Sequence, residues 1–227
     1  MASYNPPLTT LDKEEVRRYA GLRPAADFPE HILEEACADG LLHARPRAVW
    51  KIYVYAAASR KIIGETPLRL TGNAITAHLA SATEVAVLAV TIGGDLEKAV
   101  SNYFADGDYT RGLLLDAAGT AAVEAAADAV NALIAAQAAR RGFTALTRFS
   151  PGYGDWPLTD QPAIVALAGG GIDLTVTATA MLVPRKSVTA VIGLAPQRPQ
   201  PQMAVCHEEA CVTCPQSNCL ARKETQP

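Results

Sequence analysis

Residues 110–141 read TRGLLLDAAGTAAVEAAADAVNALIAAQAARR, an alanine-rich stretch that predicts one long helix. Apolar residues recur at the spacing of a helix that buries one face, at Val123, Ala127, Val130 and Ile134. The helix is not a membrane span, because polar side chains interrupt it at Asp116, Glu124, Asp128 and Asn131. We therefore expect a long central helix, with the rest of the domain built around it.

Helix-start and helix-stop signals precede this stretch. Two aspartates, each followed three positions on by a glutamate, predict N-caps at Asp12 (with Glu15) and Asp27 (with Glu30). Gly21 and Gly40 are expected to end these two helices. Further along the chain, residues 94–104 predict a short helix, and the glycine triplet at 169–171 ends another.

Strand signals are grouped in the middle and near the end of the chain. Residues 50–57 and 85–92 are short and rich in Val, Ile and aromatic side chains, as buried strands are. Residues 172–180 alternate apolar and polar side chains, which predicts a half-buried strand with residues 187–194 as its antiparallel neighbour. Helices before and between grouped strands indicate an α+β fold with an antiparallel or mixed sheet. A dinucleotide fold has no support, since no G-x-G-x-x-G follows a strand.

Composition narrows the class of protein further. The chain has 227 residues, a net charge of −3 and a pI near 5.8, so no general polycation is present for nucleic acid or membrane. The N-terminus lacks the charged and apolar regions of a signal peptide, and we expect a cytoplasmic protein. We expect one domain over residues 1–195, a Pro/Gln-rich linker over 196–205 and a cysteine-rich tail over 206–227.

Residues 148–157, RFSPGYGDWP, have the composition of a rigid binding loop. The two prolines fix φ, while Gly152 and Gly154 permit positive φ and let backbone amides approach a ligand closely. Tyr153 and Trp156 offer flat aromatic faces, and Arg148 offers a planar fork suited to a carboxylate. The alternative is an aromatic-packed surface turn with a solvated arginine.

This loop and a second motif resemble the reactivation domain of cobalamin-dependent methionine synthase. The loop matches the R-x-x-x-G-Y sequence with which that domain binds S-adenosylmethionine, and residues 181–193 resemble its M-x-P-x-K-S-V-x-A-x-I-G run. Three upstream segments, at residues 16–21, 45–49 and 91–93, resemble small free-standing versions of the domain. The resemblance covers residues 12–195 and implies a curved antiparallel sheet flanked by helices, with S-adenosylmethionine on its concave side.

The resemblance also implies roles for individual residues. It places the ligand's carboxylate on Arg148, the adenosine and amine along the backbone of Ser150, Pro151, Gly152 and Tyr153, and an acid near the amine, for which Glu124 is the positional match. The ring of Tyr153 is also suited to a cation–π contact with the sulfonium of S-adenosylmethionine. Lys186 and Ser187, in the second motif, are candidates to line the ligand or corrinoid side, or simply to begin a strand.

Two of these roles have structural alternatives. Asp116, Thr120, Glu124 and Asp128 recur every four residues, and such a stripe is usually the solvated side of a helix. For Trp156, packing beneath the loop is the favoured interpretation.

The implied function is to present the methyl group of S-adenosylmethionine to a corrinoid held by another protein. No histidine stands in the D-x-H-x-x-G pattern of the corrinoid-binding domain, so cobalamin is expected only through a partner, a methionine synthase or other corrinoid protein. The electron donor is not identified by the sequence. The alternatives are a non-catalytic corrinoid-protein adaptor with a zinc-binding tail and a methyltransferase with another acceptor.

The C-terminal tail has no counterpart in the synthase domain. Four cysteines, Cys206, Cys211, Cys214 and Cys219, are spaced with a central C-x-x-C. In a reducing compartment four such thiols indicate metal ligands rather than disulfides. We expect an Fe–S cluster, with zinc and with unliganded or redox-active thiols as alternatives, and the spacing alone does not choose among them. An Fe–S cluster would allow the electron to arrive through this chain. Cys37 is expected to be a small buried hydrophobic residue.

Overall fold

The computed structural model describes residues 2–22 and 28–197 and shows an α+β fold, as predicted. The chain divides after Pro196 into two compact units, and of the second unit only Gln197 is described. The elements in chain order are β1 (Ala2–Tyr4), α1 (Lys13–Tyr19), α2 (Glu30–His43), β2 (Arg47–Ala56), β3 (Lys61–Ile63), β4 (Leu68–Arg69), α3 (Asn73–His78), β5 (Glu84–Thr91), α4 (Asp95–Ala105), α5 (Tyr109–Arg140), β6 (Phe143–Phe149), α6 (Gln161–Ala168), β7 (Thr175–Val176), β8 (Leu182–Val183) and β9 (Ser187–Pro196).

The main sheet is antiparallel and has the strand order β4-β3-β2-β5-β9-β6, with β1 on the outer edge of β2. In its middle Trp50, Leu88 and Ala190 lie side by side on three neighbouring strands. Since side chains alternate along a strand, the register gives the sheet two apolar faces. One face packs against α1, α2, α4 and α5, and the other packs against α3, α6 and the loop of residues 150–157.

The predicted long helix is confirmed as α5, which packs on the first face of the sheet and against α1, α2 and α4. Its alanines let neighbouring helices approach closely. A Cβ added at Gly40 of α2 would lie 3.0 Å from Cβ of Ala118 and 3.1 Å from Cδ1 of Leu11. The prediction that Gly40 ends α2 is therefore wrong, because this glycine provides space for helix packing while the helix continues to His43.

The other helix signals have mixed outcomes. Asp12 caps α1, where its carboxylate accepts from the backbone amides of Glu14 and Glu15, and Gly21 follows the helix with φ +72°. Helix α2 begins at Glu30 with Pro29 at the N-cap position, and the predicted cap Asp27 lies outside the described residues. Cys37 is buried in α2, as expected.

The predicted strand over residues 172–180 is largely wrong. Only Thr175–Val176 is extended and paired, and its partner is Leu182–Val183 in a separate two-stranded sheet. Both edges of β9 are already occupied, by β5 and β6, so the prediction that residues 172–180 pair with it is also wrong. The segment bends away at Asp173 and Ala180, whose φ angles of 51° and 62° interrupt an extended chain.

None of the helices in the described part of the chain combines the length and the apolar composition that crossing a bilayer requires.

Candidate functional site

Arg148 stands near the end of the edge strand β6, opposite Ile192 of β9, and its side chain reaches the long helix α5. A single guanidinium nitrogen, Nη2, lies 2.6 Å from Oδ1 of Asp128 and 3.2 Å from Oε2 of Glu124. The two acids are one helical turn apart on α5, and the arginine side chain is only 19% exposed. The structure therefore brings Arg148 and Glu124 into direct contact, and adds Asp128 as a second carboxylate.

A second cation occupies the same helix face. Lys186, which precedes β9, places Nζ 2.9 Å from Oδ1 of Asp116 and 2.8 Å from Oγ1 of Thr120. Its backbone amide donates to Glu97 of α4. We call Asp116, Thr120, Glu124, Asp128, Arg148 and Lys186 the polar seam. The acidic stripe is partly exposed to solvent, and each of its carboxylates also pairs with Arg148 or Lys186.

Ser187, the neighbour of Lys186 in the second motif, is committed to internal hydrogen bonds. Its hydroxyl bonds to Oγ1 of Thr91 directly across the sheet, at 2.8 Å, and donates to the carbonyl of Pro184. Ser187 thus fixes the start of β9 and the position of Lys186, which supports the strand-initiating interpretation for this residue.

The backbone of the loop that follows Arg148 is held by its own hydrogen bonds. The amide of Gly152 donates to the carbonyl of Trp156 and that of Tyr153 donates to the carbonyl of Ser150. Gly152 has φ +91° and Gly154 has φ +55°, so both glycines adopt the left-handed conformations that the sequence anticipated. These two amides are therefore used inside the loop, and the carbonyl of Tyr153 also accepts a hydrogen bond of 3.0 Å from the amide of Trp156.

Two residues anchor the loop to the rest of the domain. Asp155 accepts hydrogen bonds of 2.8 Å from the backbone amides of Asn73 and Ala74, the first residues of α3. These bonds lower the pKa of the Asp155 carboxyl below its ordinary value of 3.8. Trp156 is buried in the second core, and its indole nitrogen donates to Asp160 at 2.8 Å. Trp156 therefore packs beneath the loop, as the sequence favoured.

Tyr153 is 56% exposed at the tip of the loop. Its ring lies edge-on to that of Phe149, with centroids 5.8 Å apart. Phe149 packs into the second core, on the sheet face opposite to the one that Arg148 uses. A ligand that contacts both Arg148 and Tyr153 must therefore reach around the end of β6.

The chemical character of the polar seam is that of a zwitterion site. A guanidinium that presents several N–H donors and a carboxylate 3.2 Å from it match an α-amino acid group, with its own carboxylate and ammonium. The sequence missed the contact of Asp128 with Arg148 and the anchoring by Asp155. The spacing of Glu124 and Asp128 was a signal for the contact with Arg148. The anchoring by Asp155 had no signal in the sequence, because α3 is far from Asp155 along the chain.

The predicted metal ligands Cys206, Cys211, Cys214 and Cys219 lie outside the described residues. Within residues 2–22 and 28–197, no group of three or more His, Cys, Asp or Glu side chains is arranged to hold a metal ion.

Comparison with known proteins finds similarity among solved structures. No protein family model matches the sequence, and no curated protein matches it. Among solved structures, the chain is similar to the MetH reactivation domain bound to AdoHcy, with a TM-score of 0.57 and 15% sequence identity. The match covers 86% of this chain and 82% of that one. The resemblance drawn from the motifs is thereby confirmed as a likeness of fold.

Proposed function

We propose that this chain binds S-adenosylmethionine at the polar seam and the adjoining loop, and supports reductive remethylation of a corrinoid held by a partner protein. The observation that carries the proposal is the contact between Arg148 and Glu124 at the start of the R-x-x-x-G-Y loop. The fold likeness to a domain solved with AdoHcy, the product left when S-adenosylmethionine gives up its methyl group, supports the same ligand class.

The methionyl end of the ligand fits the seam. Its carboxylate pairs with the guanidinium of Arg148, and its ammonium pairs with the carboxylate of Glu124. Both bidentate faces of a guanidinium include the nitrogen that here contacts Glu124 and Asp128. Binding a carboxylate through two parallel hydrogen bonds therefore requires at least one of these acids to leave Arg148. Asp128, whose side chain is 72% exposed, is the one that solvent accommodates at lower cost.

The loop binds the remainder of the ligand. Backbone carbonyls of the segment from Ser150 through Pro151 and Gly152 to Tyr153 accept hydrogen bonds from the adenine amino group and the ribose hydroxyls. Those of Ser150 and Tyr153 already accept one bond each within the loop and use their second lone pair. The exposed ring of Tyr153 stands near the sulfonium, where an attraction of about 0.5–1 kcal/mol is expected for an exposed cation–π contact. This arrangement requires no general base, because the sulfonium already makes the methyl group electrophilic.

The methyl acceptor is a corrinoid on another protein, a methionine synthase or a related corrinoid protein. The sequence contains no D-x-H-x-x-G motif with which to hold it. The reaction needs one electron to bring cob(II)alamin to its nucleophilic cob(I) form, which then takes the methyl group as a cation and leaves AdoHcy. This chain positions the reactants, because it holds the methyl group and the corrinoid face within about 3–3.5 Å of each other.

The cysteine tail is a separate part of the proposal. We expect its four thiolates to bind an Fe–S cluster, because Cys₄ sets with a C-x-x-C core are common ligands of such clusters. A cluster there would supply the reducing electron within the same chain. Zinc at the same thiolates would instead favour a docking role for the tail.

Binding of the ligand is tested by calorimetric titration of S-adenosylmethionine into the native protein and Arg148→Ala. The substitution is expected to weaken binding by about 1.5–3 kcal/mol, the scale of a lost charged hydrogen-bonding partner. Arg141→Ala is the matched control, since Arg141 pairs with Glu84 at the start of β5, away from the seam. Equal affinity of the native protein and Arg148→Ala, with circular dichroism showing both folded, contradicts the site.

A further inference from the structure

A cavity lies on the opposite face of the sheet from the polar seam. It has a volume of about 410 Å³, within the usual range for small-molecule sites. Its walls come from β2, from the connection between β3 and β4, and from α6. Two strands, β5 and β9, lie between β2 and β6, so three ordinary strand spacings place the cavity about 14 Å or more from Arg148.

The cavity has one rigid apolar wall. The hydroxyl of Tyr53 donates to the carbonyl of Leu167 at 2.6 Å, which fixes the tyrosine ring against α6. A Cβ added at Gly64 would lie 2.9 Å from Cδ2 of Leu167 and 3.3 Å from Cε1 of Tyr53, so the β3–β4 connection packs directly on this wall. Pro67 and Leu68 continue it. The concavity therefore depends on well-packed residues.

Two opposite charges line the same cavity: Lys51 of β2 and Glu65, which is exposed. Lys51 is partly buried and points to the same sheet face as Tyr53, to which β5 contributes the apolar side chains of Val85, Val87 and Ala89. Neither Lys51 nor Glu65 forms an ion pair or side-chain hydrogen bond within residues 2–22 and 28–197. A carboxylate bound in the cavity would give the Lys51 ammonium a charge-assisted hydrogen bond that the described residues do not supply.

From this arrangement we infer that the cavity is a binding site for an α-amino acid with an apolar side chain. The carboxylate pairs with Lys51, the ammonium pairs with Glu65, and the side chain lies against Tyr53, Leu68 and Leu167. A purely apolar ligand leaves both charges unpaired. A plain carboxylate pairs with Lys51 alone and brings a second negative charge near Glu65, a repulsion that the exposure of Glu65 reduces.

Three probes of matched shape separate these possibilities in the full chain: L-norleucine, hexanoate, which lacks the amine, and pentylamine, which lacks the carboxylate. Binding is followed by amide NMR, and norleucine is expected to bind most tightly of the three. Its shifts are expected in β2, residues 65–68 and α6. Lys51→Met is expected to weaken norleucine and hexanoate by about tenfold without affecting pentylamine. Glu65→Gln is expected to bring norleucine to the affinity of hexanoate.

The controls address folding and the neighbouring site. Lys61→Met removes an exposed lysine of β3 outside the cavity and is expected to change nothing. Ala163→Phe fills the cavity with both charges in place and is expected to abolish binding, which tests the site independently should Lys51→Met fail to fold. Arg148→Ala is expected to leave norleucine binding unchanged. Because the ligand proposed at the seam also ends in an amino acid group, this variant shows whether norleucine binds in the cavity or at the seam. The inference is overturned if Arg148→Ala loses norleucine, if hexanoate binds more tightly than norleucine, or if norleucine fails to bind at about 10 mM.

Discussion

Asp128 gives the sharpest test of the proposal that the ligand's carboxylate displaces an acidic side chain from Arg148. In the structure it holds Nη2 of Arg148 at 2.6 Å, and a ligand carboxylate that binds through two parallel hydrogen bonds competes for that nitrogen. Asp128→Asn keeps the shape of the side chain and removes the competing charge. Glu124→Gln makes the same change one turn earlier on α5, where the carboxylate is proposed to accept the ligand's ammonium.

The two substitutions have opposite expected effects. Asp128 is 72% exposed, so its pair with Arg148 is worth about 0.2–1 kcal/mol, and its removal is expected to tighten ligand binding by up to about fivefold. Glu124 is half as exposed, at 36%, and loses a charge-assisted hydrogen bond to the ligand. With a value of about 1.5 kcal/mol for such a bond, Glu124→Gln is expected to weaken binding by about tenfold.

AdoHcy is the titrant of choice because it carries no net charge. S-adenosylmethionine has a net positive charge, so removal of any nearby acid weakens its binding at long range and obscures the local effect. Titration calorimetry on the native protein and both variants, at one ionic strength, gives the comparison. If Asp128→Asn weakens AdoHcy binding as much as Glu124→Gln does, Asp128 supports the ligand site and the proposed displacement is wrong.

Two further predictions concern the loop and the tail. Asp155→Ala is expected to lower Tm at pH 7 more than Asp106→Ala, an exposed aspartate at the end of α4, because it removes two hydrogen bonds to the start of α3. The pKa of Asp155 is lowered by folding, so the stability that it contributes is complete above pH 3.8 and is lost as the pH falls through the lower folded pKa. Thermal scans should therefore show the Tm values of the native protein and Asp155→Ala converging in that pH range. A Tm difference that stays constant with pH contradicts the assignment. Protein purified without oxygen is expected to be brown, with visible absorption that Cys211→Ser and Cys214→Ser remove, whereas a colourless protein with stoichiometric zinc would replace the Fe–S assignment by a zinc one.

The parts of the fold that follow from local chemistry could be predicted from the sequence. Helix α5 is marked by apolar residues at helical spacing, and β5 by a short run of β-branched residues. Gly40 was assigned to a helix end because glycine usually acts there. Its role in space, close approach to Ala118, depends on a partner helix that is more than seventy residues away in the chain.

The alternating apolar and polar residues of 172–180 predict a strand, but a local pattern cannot show whether a neighbouring strand is free to pair with it. A strand needs a free neighbour, and β9 pairs with β5 and β6 along most of its length. At the site, the loop and Arg148 could be recognised from the motif. The conversion of the acidic stripe into ion pairs could not, because its cations, Arg148 and Lys186, are brought to α5 only by the completed sheet.

Methyl transfer to cobalt tests the central claim most directly. The assay mixes this protein, S-adenosylmethionine and a strong reductant with a cob(II)alamin-loaded methionine synthase that lacks its own reactivation domain, and follows methylcobalamin by its absorption. We predict that methylcobalamin forms only when this protein is present, and more slowly with Arg148→Ala or Tyr153→Ala. Transfer at the same rate without the protein, or no transfer with any corrinoid partner despite measurable S-adenosylmethionine binding, contradicts the account.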